Sequence, residues 1–228
     1  MTSESYAQLL SLAVHEMRTP AGIVGGYLRM LQRDATAPLN ERQRKMVGEA
    51  ERSCQRLLEL IGELSEVQKL DAERVDLAQQ SFDVFTLIER AAAAVQLPES
   101  RGVRLELRGP SDGAPARGDV TRLQRAYTAV FRAILREVPE NSCVVGERRL
   151  EARAGTCAAL LVIADEARLH GAWTAEAAPF DEERGGLGLA LPIARRVIER
   201  HGGRIWSPPG EDARSVAILS LPIVESHP

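Results

Sequence analysis

The chain has 228 residues, of which 44% are hydrophobic and 27% are charged, so it is long and apolar enough to fold into one large or two small domains. Its 29 basic and 32 acidic residues give a net charge of -3, which provides no general field for holding nucleic acid or an anionic membrane. Three cysteines without a CxxC spacing argue against a disulfide framework or a zinc site and favour a reducing cytoplasm. No apolar run approaches the roughly 20 residues that span a bilayer, so no membrane segment is expected.

The first part of the chain predicts two long helices. Apolar residues recur at steps of three and four from Tyr6 to about Arg33, and again from about Glu41 to Lys69. The connection at residues 34–40 contains Asp, Pro and Asn, which favours a turn and an antiparallel return. The apolar stripe of the first helix consists of Leu10, Ala13, Val14, Met17, Ala21, Val24, Leu28 and Leu31, and that of the second of Met46, Ala50, Ser53, Leu57, Leu60, Leu64 and Val67. A lone pair of helices buries such stripes poorly, so we predict that two copies pair as a four-helix bundle.

Residues 71–228 predict an α/β domain, because short β-like segments alternate with helical ones after Leu70. The predicted strands are Val103–Arg108, Cys143–Ala152, Ala158–Ile163 and Val216–Ile223, and the predicted helices are Val84–Val95, Val120–Val138 and Leu189–His201. Segments rich in Gly and Pro at 109–119 and 207–213 are expected to be loops.

His15 lies away from the apolar stripe of the first predicted helix. At about 100° per residue it is roughly 150° from the centre of that stripe, so its imidazole is expected in water. Thr19, Gly22 and Gly26 follow at steps of four, three and four on the same strip. A glycine destabilises a helix interior by about 1 kcal/mol and Pro20 by about 3 kcal/mol, so something is expected to offset this cost. A strip without side chains would let another protein approach the imidazole closely. The alternative is an ordinary surface histidine beside a benign proline kink.

The sequence HEMRTP at residues 15–20 resembles the phosphoacceptor motif HExxTP of bacterial sensor histidine kinases. The resemblance implies that His15 accepts a phosphoryl group, that Glu16 polarises the imidazole, and that the phosphoryl group passes to an aspartate of a response regulator receiver domain. It also places Thr19 where the family's phosphatase reaction orients a water. These roles suit the chemistry, because a neutral imidazole nitrogen is a good nucleophile near pH 7 and a neighbouring carboxylate makes it more basic.

A second resemblance to the same family lies near the C-terminus, where Gly185, Gly186 and Gly188 precede a helix that ends in HGG. Glycines let backbone amides approach phosphate closely, and the positive end of the following helix favours an anion. The resemblance implies that these three glycines contact the phosphates of ATP. It further implies that Phe180 is the lid phenylalanine and that Asp165 accepts a hydrogen bond from the adenine amino group.

The predicted helix Val120–Val138 has the spacing of the family's asparagine-bearing helix, but Ala129 and Ala133 stand where the asparagines are expected. The resemblance implies that the second asparagine binds the Mg²⁺ that bridges the ATP phosphates, and alanine has no ligand atom. ATP and Mg²⁺ are therefore the implied cofactors, weak binding is expected, and no metal ligand is assigned. Arg132 and Arg136 could neutralise phosphate without a metal, or could form a solvated face.

The resemblance covers nearly the whole chain and implies an α+β protein. Residues 1–70 are the expected dimerisation and histidine phosphotransfer hairpin, and residues 71–228 the expected α/β sandwich of the GHKL-type ATPase fold. Three functions stay open: an active histidine kinase that responds to a separate sensor protein, a phosphotransferase or response-regulator phosphatase that does not use ATP efficiently, and a non-enzymatic pseudokinase scaffold. The expected partners are a second copy of the chain and a receiver domain, with no nucleic acid, in the cytoplasm.

Overall fold

The computed structural model describes residues 3–34, 36–96, 101–153 and 156–224. The chain divides into two compact units, Met1–Arg74 and Val75–Pro228. Within the described ranges, no helix combines the length and the apolar character needed to cross a membrane.

The first unit is an antiparallel hairpin of α1 (Ser3–Arg33) and α2 (Glu41–Asp71). Helix α1 continues through Pro20 without interruption of its helical assignment. Helix α2 begins with a capping box, in which the Asn40 side chain accepts a hydrogen bond from the Gln43 amide and the Gln43 side chain accepts one from the Asn40 amide. This reciprocal pair satisfies two amides at the turn and fixes the point at which the chain reverses.

The buried side of the hairpin is centred on Val14 and Gly25 of α1 and on Cys54 and Ile61 of α2. A Cβ atom at Gly25 would lie 3.2 Å from Cys54 Sγ, so glycine permits close approach of the helices at this level. The Cys54 thiol also donates a hydrogen bond to the carbonyl oxygen of Ala21 at 3.1 Å.

Packing within one hairpin leaves part of the predicted stripe of α2 exposed. Met46 and Leu57 are 60% and 56% exposed, while Cys54 and Ile61, seven residues apart, are buried. Exposure in a single chain does not contradict the predicted stripe, because we expected a second copy to cover it. On α1, three members of the predicted stripe also stay exposed, namely Met17, Val24 and Leu31.

The second unit contains α3 (Val84–Ala93), α4 (Val120–Glu137), α5 (Leu169–Thr174) and α6 (Ala190–Arg200). Its strands are β1 (Gln80–Asp83), β2 (Arg104–Arg108), β3 (Pro115–Gly118), β4 (Cys143–Arg153), β5 (Thr156–Asp165), β6 (Ala178–Pro179), β7 (Arg204–Ser207) and β8 (Ala217–Pro222). A six-stranded sheet has the order β2-β4-β5-β8-β7-β6, and β1 pairs with β3 in a separate ribbon. Within the six-stranded sheet β2 runs parallel to β4, and the other neighbouring strands are antiparallel.

The two faces of the larger sheet are covered differently. On one face Gly146 leaves room for Phe131 of α4, since a Cβ atom there would lie 3.3 Å from the phenyl ring. On the other face α5 packs its Leu169 and Ala172 into an apolar cluster with Val145 and Val162. The segment between β5 and β6 is therefore anchored on this second face of the sheet through α5.

The predicted strands and helices of this unit are all present, with ends that differ by a few residues. The expectation of a loop over 109–119 was wrong at its end, because β3 occupies Pro115–Gly118 and pairs with β1. This ribbon is held by Asp83, whose carboxylate accepts hydrogen bonds from the amides of Ala114, Phe85 and Thr86. A side chain that joins segments so far apart leaves no local pattern in the sequence.

Candidate functional site

The imidazole of His15 stands in solvent on α1. Its side chain is 78% exposed and that of Glu16 is 72% exposed, with 3.7 Å between His15 Nδ1 and Glu16 Oε1. The carboxylate lies beyond hydrogen-bond distance of Nδ1 in this arrangement. Nε2 is the ring nitrogen that faces away from the acid.

The surface next to His15 is unusually open. Apart from the neighbouring backbone of α1 itself, a Cβ atom at Gly22 or Gly26 would meet no atom within 4 Å, and Thr19 is exposed on the same strip. A helix face with a hydroxyl group and two positions without side chains offers room for another backbone to come close to the imidazole. We call the surface formed by His15, Thr19, Gly22 and Gly26 the His15 strip.

The glycines near α6 are folded onto α4. Gly185 has a φ of 68°, and a Cβ atom there would lie 2.9 Å from Ala133 Cα, so only glycine fits. The Gly185 amide donates to Glu137 Oε1 at 2.7 Å, and its carbonyl accepts a hydrogen bond from Arg136 Nη1 at 2.8 Å. The backbone of this glycine is thus fully engaged by side chains of α4.

Arg184, the residue before Gly185, ties this turn to the strands on the side away from α4. Its side chain is completely buried, and its guanidinium donates to Ser207 Oγ and to several carbonyl oxygens of the segment before β8. Its Cζ atom also lies 4.1 Å from the centre of the Phe180 ring. Burial lowers the pKa of Arg184 to about 10, which leaves the guanidinium charged at neutral pH.

The carboxylate of Asp165 is occupied by its own turn. It accepts hydrogen bonds from the backbone amide of Arg168 at 3.0 Å and from the Arg168 guanidinium. The following helix α5 is held by Trp173, whose indole donates to Glu147 Oε2 at 2.9 Å while its ring lies 4.1 Å from the guanidinium of Arg149. The residues beyond Asp165 are therefore tied to the sheet.

These contacts do not fit the magnesium–ATP complex that the resemblance implies. Ala133 offers no oxygen for Mg²⁺ and is covered by Gly185. The amide of Gly185, expected to face a phosphate, already binds the Glu137 carboxylate, which would repel a phosphate at this position. The carboxylate of Asp165 is likewise engaged by Arg168 rather than free for an adenine amino group.

The predicted site residues therefore fall into two groups. His15, Glu16 and Thr19 are exposed neighbours on α1. Asp165, Phe180, Gly185, Gly186, Gly188 and Arg136 all lie in the second unit, and Phe180 is buried while Gly186 and Gly188 are exposed. Over the described ranges no group of three His, Cys, Asp or Glu residues could hold a metal ion.

Sequence reasoning missed three side chains. Glu137 and Arg184 hold residues 184–188, which we call the glycine segment, and Arg168 binds Asp165. Each is charged, and each acts through a contact made in the folded chain. For Glu137 the sequence held one signal. It directly follows Arg136 at the end of α4, so a carboxylate lies at the helix end that faces the glycines. His201, taken as structural, does join two elements: its Nε2 accepts from the Asp119 amide at 2.9 Å.

The chain combines an exposed histidine on a long hairpin with a mixed sheet domain that carries a glycine-rich turn. Residues 5–73 match the model of the His Kinase A (phospho-acceptor) domain. Sensor histidine kinase GacS of Pseudomonas protegens is 29% identical over 234 residues, which are 95% of this chain and 25% of that protein. Signal transduction histidine-protein kinase BarA of Escherichia coli is 28% identical over 211 residues, 87% of this chain and 22% of that protein. The chain thus spans about a quarter of these relatives' length.

Solved structures share the fold of both units. Full-length ShkA, crystallised with AMPPNP, aligns with a TM-score of 0.68 at 21% identity over 96% of this chain and 46% of that one. Histidine kinase ThkA, in complex with response regulator protein TrrA, aligns with a TM-score of 0.56 at 20% identity over 95% of this chain and 61% of that one. Residues 5–73 are thus matched to a phosphoacceptor domain, and the chain as a whole is similar in sequence to sensor histidine kinases and in fold to their solved cores.

Proposed function

We propose that this chain is a phosphotransferase in which His15 exchanges a phosphoryl group with an aspartate of a response regulator receiver domain, without taking that group from ATP itself. The observation that carries the proposal is the contrast between the two parts of the candidate site. The His15 strip is open to a partner, with 78% of the His15 side chain exposed, whereas Gly185 is closed onto Ala133 and Glu137.

The chemistry of the His15 strip needs no group beyond the receiver's acyl phosphate. The lone pair of His15 Nε2 attacks the phosphorus atom, the bond from phosphorus to the aspartate oxygen breaks, and its electron pair leaves with the carboxylate. The proton on Nδ1 stays beside Glu16, which stabilises the positive charge that develops on the ring. The reverse reaction returns the phosphoryl group to a receiver.

Hydrolysis of the receiver's phosphoaspartate is a second activity of the same strip. Thr19 lies one helical turn from His15 and is exposed, so its hydroxyl can orient a water towards the phosphorus atom of a docked receiver. The water oxygen forms the new bond, the aspartate leaves as carboxylate, and inorganic phosphate is released. Transfer to His15 and hydrolysis are then alternative outcomes of one encounter.

The active form is a homodimer built on the hairpin. Met17, Val24 and Leu31 recur every seven residues along α1 and are 43%, 52% and 49% exposed. Together with Met46 and Leu57 of α2 they leave an apolar surface next to the buried seam, as expected for helices that pair in a four-helix bundle.

All three cysteines are free thiols, which suits a reducing compartment such as the cytoplasm.

The proposal is tested with receiver domains phosphorylated by labelled acetyl phosphate. Incubation with the chain is expected to place acid-labile, base-stable label on it, and His15→Gln is expected to abolish this label. Thr19→Ala is expected to keep the label and to reduce release of inorganic phosphate by at least about tenfold, because only the water is affected.

Two outcomes would overturn the proposal. Label that persists in His15→Gln would place the phosphoryl group on another residue. Binding of phosphorylated receivers without transfer or hydrolysis would leave a scaffold that sequesters regulators. A panel of receivers from the source genome is required for either conclusion, with circular dichroism of each variant to show that the hairpin is folded.

A further inference from the structure

A cleft of about 480 Å³ lies on the face of the six-stranded sheet that carries α5. It opens between Trp173 of α5 and Trp206 of β7, over an apolar floor that includes Leu160 and Ile218. Its volume is in the range of small-molecule sites, about 300–1,000 Å³. Helix α4 packs on the opposite face of the sheet, so the sheet separates this cleft from α4 and from the glycine segment that α4 holds.

The two indole rings that wall this cleft are held in place by the fold. Trp173 Nε1 donates to Glu147 Oε2 at 2.9 Å, and the Trp173 ring lies 4.1 Å from the guanidinium of Arg149. Trp206 belongs to β7, which is paired with β6 on one side and with β8 on the other, and its ring lies 5.7 Å from Arg204 Cζ. Walls that are already fixed lose little conformational entropy when a ligand binds, and aromatic walls favour an aromatic ring between them.

Two opposite charges lie on two sides of the cleft. Glu151 and Arg204 both belong to its lining, and both side chains are exposed. Glu151 is opposite Ala158 in the sheet and Arg204 is opposite Ser220, so β5 and β8 lie between the two charges. The carboxylate disfavours a phosphate or a dicarboxylate in the cleft, and the guanidinium disfavours a cation without an acid group. The pair is complementary to a ligand that carries both a carboxylate and an ammonium group.

We propose that this cleft binds a free aromatic amino acid, with its ring between the two indoles, its carboxylate at Arg204 and its ammonium group at Glu151. A guanidinium presents paired donors that match the two oxygens of a carboxylate. The hydroxyl group of Ser220, which also lines the cleft, adds a neutral hydrogen-bonding group beside Arg204. This inference goes beyond phosphotransfer at His15, because it adds a small-molecule site to the second unit.

L-phenylalanine is the probe for this site, because the chain has 2 tryptophans and both of them line the cleft. Tryptophan emission, excited at a wavelength that phenylalanine does not absorb, is expected to change in a saturable way when the full chain is titrated at neutral pH. Two analogues separate the charges of the ligand, since hydrocinnamate lacks the ammonium group and phenethylamine lacks the carboxylate. Each analogue is expected to bind at least about threefold more weakly than phenylalanine, because one hydrogen-bonded charge is lost at a partly exposed site.

Arg204→Gln is expected to weaken phenylalanine binding at least about threefold and to leave phenethylamine binding unchanged, whereas Glu151→Gln weakens phenylalanine and leaves hydrocinnamate unchanged. The matched control is Arg104→Gln, at an exposed arginine of the same sheet outside the cleft lining, which is expected to bind phenylalanine like the wild type.

The proposal is overturned if the change in emission does not saturate, if both analogues bind as tightly as phenylalanine, if Arg204→Gln binds like the wild type, or if the control weakens binding equally. Should a charge variant melt early without ligand, the comparison of phenylalanine with its two analogues on the wild-type chain gives the same test.

Discussion

Arg184 offers a quantitative test of how firmly the glycine segment is closed. Its guanidinium donates to the oxygen atoms of Asp181 (2.8 Å), Ser207 (2.9 Å), Ala213 (2.8 Å), Arg214 (3.2 Å) and Val216 (2.9 Å). Arg184→Ala removes all of these donors and leaves several buried acceptors without a partner. Breaking a buried charged network of this kind costs about 3–5 kcal/mol, so the melting temperature of a unit of this size is expected to fall by about 6–20 °C.

The assay is thermal and urea unfolding followed by tryptophan fluorescence. The chain has 2 tryptophans, and both Trp173 and Trp206 belong to the second unit, so the signal reports on that unit alone. Arg184→Lys is expected to be nearly as unstable, because an ammonium group cannot reach acceptors spread around a planar fork. Arg195→Ala, at an exposed arginine with surface ion pairs, is the control and is expected to change stability by less than about 1 kcal/mol. A loss below about 1 kcal/mol for Arg184→Ala would refute the reasoning.

Two further predictions concern α1. Gly22→Ala is expected to stabilise the hairpin by up to about 1 kcal/mol, because the added Cβ meets open space. Gly25→Val is expected to destabilise the hairpin by about 1–3 kcal/mol, because the larger side chain overlaps the Cys54 thiol. Thermal melting followed by helical circular dichroism measures both. Val24→Glu is expected to convert the dimer into monomers, as measured by sedimentation equilibrium. Ile23 is similarly exposed but lies about 100° away around α1, closer to the His15 strip. Ile23→Glu is therefore expected to stay dimeric and to lose phosphotransfer. The opposite pattern for the last pair would mean that the dimer face is misassigned.

The elements of the fold could be predicted from the sequence because each has a local period. The long helices, the exposure of His15 and the strands around Ala158–Ile163 all follow from spacing of apolar residues. The same method placed Met46 and Leu57 on the stripe of α2, and α1 leaves both exposed, so their place in a four-helix bundle of two copies stays a prediction. Two apolar faces on one helix indicate that the helix has more than one packing partner. The sequence alone does not say which partner contacts which face.

The closed state of the glycine segment could be predicted only in part. The absence of asparagine at Ala129 and Ala133 gave reason to expect weak magnesium–ATP binding. The contact between Glu137 and Gly185 spans 48 positions. The buried Arg184 donates to carbonyl groups of two segments and to the hydroxyl group of Ser207, so neither contact has a local pattern. A charged residue near a predicted lid is normally taken as exposed, yet among the described residues Arg184 is the largest side chain that is fully buried.

Incubation with γ-labelled ATP and Mg²⁺ is the most direct test of whether His15 depends on an external phosphoryl donor. The wild-type chain is expected to gain no acid-labile, base-stable label from ATP, while the same preparation gains it from phosphorylated receivers. The double variant Ala133→Asn/Glu137→Gln supplies an amide oxygen and removes the carboxylate from the Gly185 amide. It is assayed beside the wild type to test whether these two changes restore nucleotide binding. Label from ATP on the wild-type chain that disappears in His15→Gln would contradict phosphotransfer without ATP and would make the protein an autokinase.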